Sequence, residues 1–273
     1  MRNNLKNHPL EGKALKIRLL AVILGLVIVA SAAEAGDESQ ISRPTTATTR
    51  VFSYTGKRFG VPVLQVCLRV DPGYSEAGRL FSRVQASVTS PPALGLFFRM
   101  HNYFTSLMDL ETCSPVRYIK EVNQEGLFVQ KKKYLQNILF DPSRKRVVAE
   151  YPERGEKQEV ILTSDTFDPL SLFGRYYLKE DLFPGRNVPM SIYDGMKLRQ
   201  MVFQVSRERV NAKRYGEVEA FRVESMTAFS SFGEREGTIR IWYTADGRKT
   251  PIAMEVALPV GNLVFELDSE ENG

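Results

Sequence analysis

The stretch Thr166–Gly185, TFDPLSLFGRYYLKEDLFPG, decides how the rest of the chain is read. Asp168 is a good N-cap, and Pro169 suits the first helical position because its missing N–H is not needed there. Phe167 and Leu172 stand at the two staple positions on either side of the cap. Leu170, Phe173, Tyr177 and Leu178 follow with helical spacing and predict one apolar face. Gly174 lies among them, a small residue where a helix can approach a sheet closely. Pro184-Gly185 closes the pattern, so one main helix is expected over about 169–180.

Outward from this helix the period changes from 3.6 to 2. Met201, Phe203 and Val205 share one face of a strand, as do Ile252, Met254, Val256 and Leu258. Phe221 and Val223 do the same, with Glu219 and Ser225 towards the ends of that face. Alternation with polar residues between means an antiparallel sheet with one wet side. Asp194-Gly195 between two such patterns is a strong hairpin signal, and Asp246-Gly247 marks another turn. Gly56 to Gly60, Gly126, Gly155, Gly216 and Gly261 read as further turns. A second, weaker helical pattern runs from Pro92 to about His101, through Leu94, Phe97 and Phe98. The fold class expected is mainly β: a large curved antiparallel sheet, or a barrel-like one, with the 169–180 helix packed on it.

The N-terminus reads as an export leader. Lys13, Lys16 and Arg18 precede Leu19 to Ala30, an uncharged apolar run of twelve residues, and Ala33 and Ala35 stand at the small-residue cleavage positions. That is the layout of a signal peptide over residues 1–35, expected as a signal helix until it is cut. The run is short for a membrane span, which takes about 20 residues. The alternative is an uncleaved segment anchoring the protein in the inner membrane. Residues 36–47 are polar and aperiodic, a lead-in to one domain over 48–268, with 269–273 as a tail. The compartment expected after cleavage is the periplasm.

Removing the leader changes the charge balance. The chain holds 37 basic and 32 acidic residues; the leader takes five and two, leaving 32 and 30. A near-neutral surface gives no reason to expect nucleic acid, which needs a concentrated basic face. Lys131 to Lys133 and Arg144 to Arg146 read as solvated strand ends or turns. Cys67 and Cys113, an even pair in an exported chain, are a disulfide candidate closing a loop of about 47 residues, worth roughly 4 kcal/mol. The alternative is that Cys67, in VLQVCLRV, is a small buried apolar residue.

Catalytic signatures are missing from the sequence. Past the leader His101 is the sole histidine, too few for a zinc pattern, so no metal is expected. No G-x-S-x-G elbow and no glycine-rich phosphate loop occurs, so no cofactor is expected either. Asp109, Asp168, Asp194 and Asp246 are the acids at the most patterned positions. A pair of them facing across a cleft would serve a polysaccharide hydrolase, although capping and turn formation already account for Asp168, Asp194 and Asp246.

The segments FDPLSLFGRYYL, VPMSIYDGMKL, GEVEAFRVE, IRIWYTADGRKTPIAMEV and VGNLVFEL follow one another in order, after YTGKRFGVPVLQV and NYFTSLMDLE. In this the chain resembles the bacterial domain of unknown function 3108 family over about residues 48 to 268. The D-P-L-S helix start, the Y-D-G turn and the I-W-Y-T-A-D strand end are its most specific parts. The resemblance implies a β-rich exported domain and brings no catalytic residues with it.

Binding is the function class left. Leu94 to Phe98 and Phe173 to Leu178 are the heaviest apolar clusters, and a curved sheet covered by a helix encloses either a greasy cavity or an ordinary filled core. Trp242, Tyr243, Phe173 and Tyr177 are the candidate ligand-binding residues. Trp242 is expected to pack on the helix, with a ligand rim as the alternative. The expectation is a non-enzymatic envelope protein binding a lipid, another apolar ligand or a protein partner; a carboxylate-dependent hydrolase and a structural scaffold are the alternatives. Membrane contact is expected only through the signal segment.

Overall fold

Among the described residues, fifteen strands run through a single sheet. A computed structural model of the chain describes residues 48–127, 131–162, 164–229, 235–258 and 261–273; the expected leader (1–35) and lead-in (36–47) lie outside them. The first eight strands form an antiparallel meander: β1 (Arg50–Arg58), β2 (Val61–Glu76), β3 (Arg79–Thr89), β4 (Phe98–Asp109), β5 (Pro115–Gly126), β6 (Lys132–Asp141), β7 (Arg146–Tyr151) and β8 (Glu156–Ile161). A short β9 (Thr166–Phe167) and the helix α1 (Pro169–Leu178) follow. A second meander contains β10 (Asn187–Tyr193), β11 (Leu198–Ala212), β12 (Gly216–Phe229), β13 (Arg235–Thr244), β14 (Pro251–Ala257) and β15 (Leu263–Asn272). Pairing of β15 with β1 fuses the two meanders, and β9 adds to β10 in parallel. The order is therefore β8 to β1, then β15 down to β9. Every strand but the edge strands β8 and β9 has two neighbours.

Period-two alternation gives this sheet one dry face. Phe52, Tyr54, Val66, Leu68, Val84, Phe104, Ile138, Met201, Phe203, Tyr243, Met254 and Phe265 all point inwards and belong to one continuous buried cluster. Register shifts at Gly56/Lys57, Asp71/Tyr74, Leu107/Met108 and Trp242/Tyr243 bend the strands. Such bulges raise local twist and let a wide sheet curl on itself.

The inside of the curl is filled by α1. Pro169, Leu170, Ser171, Leu172, Phe173, Gly174 and Tyr176 are buried, so the helix is dry nearly all round rather than along one stripe. Its first turn is tied off as the sequence predicts. Asp168 Oδ1 accepts the backbone N–H groups of Leu170 and Ser171 at 2.8 and 3.0 Å, and Ser171 Oγ accepts the N–H of Asp168 at 3.0 Å. From the sheet, Ser106 Oγ donates to Asp168 Oδ2 at 2.7 Å. At the other end Lys249 Nζ donates to the carbonyls of Tyr176 and Glu180 at 3.0 and 2.7 Å, where a cation also meets the negative end of the helix dipole. The Asp246 turn presents that lysine: its carboxylate accepts from Thr244 Oγ1 and from the Arg248 N–H. A Cβ placed on Gly174 would stand 2.7 Å from Met108 Sδ and Cε and 3.1 Å from Val84 Cγ2. The glycine is what lets α1 lie against β3 and β4.

Burial raises the Asp168 carboxyl to about 6, against the pull of its hydrogen bonds from Ser106, Ser171 and Leu170. In the unfolded chain a carboxylate titrates near 4. The folded state thus binds this proton more tightly. The stability this gives is complete below about pH 4 and is lost as the pH rises through about 6. Asparagine at 168 keeps a capping oxygen and lacks the titration. Between pH 4 and 6.5 the wild type should lose up to about 3 kcal/mol relative to Asp168→Asn, measured by urea unfolding at each pH. A constant difference across that window would contradict the assignment.

Several expectations are corrected. The helix ends at Leu178, before Pro184-Gly185, because Lys179 leaves helical geometry. It packs on the sheet as expected, within the concave side of the curl. The Pro92 to His101 segment keeps only a single 3-10 turn, Pro92–Leu94. From Phe98 the strand period takes over, with Phe98, Met100 and Phe104 inward and His101 exposed on the outer face. Gly56 lies inside β1 at a bulge rather than in a turn. Residues 269–272 are no tail: they extend β15 along β1, where Arg50 pairs with Glu270 at 2.9 Å. Cys67 and Cys113 are both free. Cys67 sits mid-strand on the outer side of β2, level with Ser87 and Tyr103. Cys113 lies buried in the β4–β5 turn, ten residues further along the chain than Tyr103, which puts the two thiols far apart on different sides of the sheet.

Candidate binding site at the seam of the sheet

The sheet's two free edges come close without pairing. Only residues 162–165 join the end of β8 to the start of β9. Five chain steps span at most about 17 Å, so the two edges approach within that distance at this end. Further along, the Asp194-Gly195 turn reaches across the inside of the curl to the opposite half. Lys120 Nζ donates to the Asp194 carbonyl at 2.6 Å, and Gln136 Nε2 to the Gly195 carbonyl at 2.6 Å. The Asp194 side chain holds the turn by accepting the N–H groups of Met196 and Lys197 at 2.8 and 2.9 Å. Gly195 has φ 88°, and a Cβ on it would stand 2.5 Å from Gln136 Oε1. Both backbone conformation and space therefore require glycine there.

This seam is polar on its inner side. Burial lowers the pKa of the Lys120 amine, with the Asp194 carboxylate acting the other way. Burial likewise raises the Tyr118 phenol, helped by Asp168 and Asp194. Tyr118 OH, Ser191 Oγ and Tyr193 OH are buried and have no hydrogen-bond partner among the described residues. Unpaired buried polar atoms are costly, so the inner side of the seam adds little to stability beyond its apolar contacts.

At the mouth of the seam lies a cavity of about 310 Å³. Pro115, Phe140, Leu162 and Phe167 form its buried floor; Ser114, Lys145, Ser164 and Asp165 stand around its rim. The β6–β7 turn sets one wall, where Asp141 accepts from Ser143 and Arg144 and Lys145 adopts φ 48°. The carbonyl of Lys145 accepts the N–H of Leu162 at 2.7 Å, which holds the opposite wall. The volume is at the lower end for small-ligand pockets, about 300–1,000 Å³. An apolar floor with a charged rim suits the end of an acyl chain or one aromatic side chain.

The residues singled out in the sequence do not line this cavity. Phe173, Tyr177 and Tyr243 do come together, in the core around α1: Phe173 is 6.0 Å from Tyr177 and 6.3 Å from Tyr243, ring centre to ring centre. Trp242 faces the other way. It lies half-buried on the outer side of β13, where Nε1 donates to Glu208 at 2.6 Å, while its neighbour Tyr243 meets Phe173 and Tyr176. The expected packing of Trp242 on the helix is therefore wrong by one residue of strand parity. Asp168, Asp194 and Asp246 hold the cap and turns assigned to them, and Asp109 accepts the N–H groups of Glu111 and Thr112 in the β4–β5 turn. Among the described residues no group of three or more His, Cys, Asp or Glu is placed to hold a metal. Of the cavity floor, only Phe167 stands out in the sequence, as a helix staple. The others carry no local signal, since the cavity exists because distant strand ends meet.

An open sheet curled around an internal helix, with a small cavity of apolar floor and polar rim where its edges approach, defines a barrel-like β protein. The chain belongs to the DUF3108 family: the family model, described as a protein of unknown function (DUF3108), matches residues 60–268. A crystal structure of a beta-barrel-like protein of domain of unknown function DUF1849 from Brucella abortus is similar in fold, with a TM-score of 0.52 at 9% identity, covering 83% of this chain and 98% of that one. No curated protein matches the chain.

Proposed function

We propose that the protein acts in the cell envelope as a non-enzymatic binding module that takes a small apolar group, from a lipid or a protein partner, at the seam cavity. The observation that carries this reading is the cavity itself: an apolar floor of Pro115, Phe140, Leu162 and Phe167 under a rim bearing Lys145 and Asp165. The filled interior sets its scale. With α1 occupying the curl, the ligand enters by one end only and stays shallow. The N-terminal pattern of basic residues, apolar run and Ala33/Ala35 supports export. The patterned aspartates support a non-catalytic role, each being engaged in a cap or turn.

Native mass spectrometry of the protein taken from the periplasm tests both parts. A low-mass apolar adduct is expected, and Ser164→Phe, which puts a ring at the rim, should lower its occupancy several-fold with the fold unchanged by circular dichroism. A bare protein mass would contradict binding. Absence of the protein from the periplasm would contradict export.

A further inference from the structure

The end of the barrel opposite the cavity carries a different surface. The β1–β2 turn, the β3–β4 loop and the C-terminal end of β5 all lie there, because their strands are consecutive and antiparallel. Each tip bears a large apolar side chain held out in solvent: Phe59 is 78% exposed, Leu96 86% and Leu127 76%. Val61 and Phe97, also exposed, flank them. The three tips reach about the same level. Gln65, Thr89 and His101 form one row across β2, β3 and β4, and both Gly60 and Leu96 lie five residues beyond it along the chain. Leu127 is tied to the same loop by its N–H, which donates to the Phe97 carbonyl at 2.8 Å. Four strand spacings, about 19 Å along the sheet, separate the first tip, at the end of β1, from the last, at the end of β5.

Cations surround these tips. The Arg58 guanidinium lies 5.1 Å from the centre of the Phe59 ring. Arg99 and Lys131 stand beside Leu96 and Leu127 and share one acid, Glu125, at 3.8 and 3.5 Å. The next turn along the sheet, 152–155, brings Glu153 and Arg154 but no large apolar side chain, which bounds the apolar part of the patch.

We propose that this end docks on an anionic bilayer surface, with Phe59, Leu96 and Leu127 entering the headgroup region and Arg58, Arg99 and Lys131 at the level of the lipid phosphates. Shape favours a bilayer over a protein. The apolar groups are prongs on separate turns, whereas a stable protein interface wants a continuous complementary face of about 800 Å² on each partner. A fluid headgroup layer closes around separate prongs, and shallow burial of apolar side chains combined with attraction of cations to anionic lipid is the physics of interfacial anchoring. No helix among the described residues is long and apolar enough to cross a membrane, and docking needs none.

The test uses the full chain carrying Leu96→Trp, with phosphatidylcholine vesicles containing about one-third phosphatidylglycerol and brominated acyl chains. The native Trp242, near the far end of β13, is the internal control in the wild type. Strong quenching is expected for the Trp at 96 and little for Trp242. Adding Phe59→Ser and Leu127→Ser should weaken partitioning about tenfold. Omitting phosphatidylglycerol or raising salt should weaken it several-fold. Three results would each overturn the proposal: no quenching at 96, quenching of Trp242 equal to that at 96 (association through another part of the chain), or partitioning indifferent to the two serines. Equal binding to neutral vesicles would remove the role given to the cations.

Discussion

Replacing Gly174 with leucine is expected to destabilise the protein by about 3 kcal/mol or more, read as a lower urea midpoint at unchanged slope. In an isolated helix the same change would stabilise, since glycine costs about 1 kcal/mol against ordinary residues. Here the space decides. Even a single Cβ would stand 2.7 Å from Met108 Sδ, and Met108 and Val84 are fully buried with little room to move. Gly174→Ala should therefore also destabilise, by less. Met108→Ala in the leucine background should recover part of the loss, because it empties the volume the new side chain needs. A neutral or stabilising Gly174→Leu would mean that α1 does not lie against β3 and β4.

Phe173→Ala should cost about 3–5 kcal/mol, the range for emptying a buried aromatic site. Phe173 is the hub between Tyr177 and Tyr243, and Tyr177 in turn meets Phe52 edge-on at 5.5 Å. The stacked pair thus couples the helix to β13 through Phe173 and to β1 through Tyr177, strands from the two meanders. The same variant separates two roles for this residue. As core, Phe173 changes the urea midpoint strongly; as the wall of an open ligand site, its truncation would spare stability and reduce binding. Against a typical total of about 5–15 kcal/mol, the expected loss is a large fraction of the protein's stability.

Local chemistry made parts of this fold legible beforehand. The D-P-L-S start was readable because capping, first-turn proline and staple all act within five residues, and Asp168, Ser171 and Leu172 behave accordingly. The faces of β11 and β14 were readable because Met201, Phe203 and Val205, or Ile252, Met254 and Val256, alternate without interruption. The 92–101 segment misled because Leu94, Phe97 and Phe98 fit the helical period by accident, while Phe98, Met100 and Phe104 fit the strand period by design of the sheet. Trp242 misled for another reason. Both Ile241 and Trp242 are apolar, and parity alone does not say which side of a sheet is dry; the ring of Tyr243 against Phe173 and Tyr176 settles it.

Features made by long-range meeting were out of reach. The seam depends on Lys120 and Gln136 finding the carbonyls of Asp194 and Gly195, some 60 to 75 positions away along the chain. Neither residue is distinguishable in sequence from a solvated strand residue. The cavity floor brings Pro115, Phe140, Leu162 and Phe167 from four separate strand ends. The apolar tips Phe59, Leu96 and Leu127 become one surface only once strand order places three turns side by side.

Everything here rests on α1 being the filling of the curled sheet rather than a brace upon it, and native-state hydrogen exchange tests that most directly. Amides from Leu172 to Leu178 should exchange only through global unfolding, with the same free energy as the central residues of β3, β4 and β13. Exchange of the helix amides by a much lower-energy opening, while those strands stay protected, would contradict it.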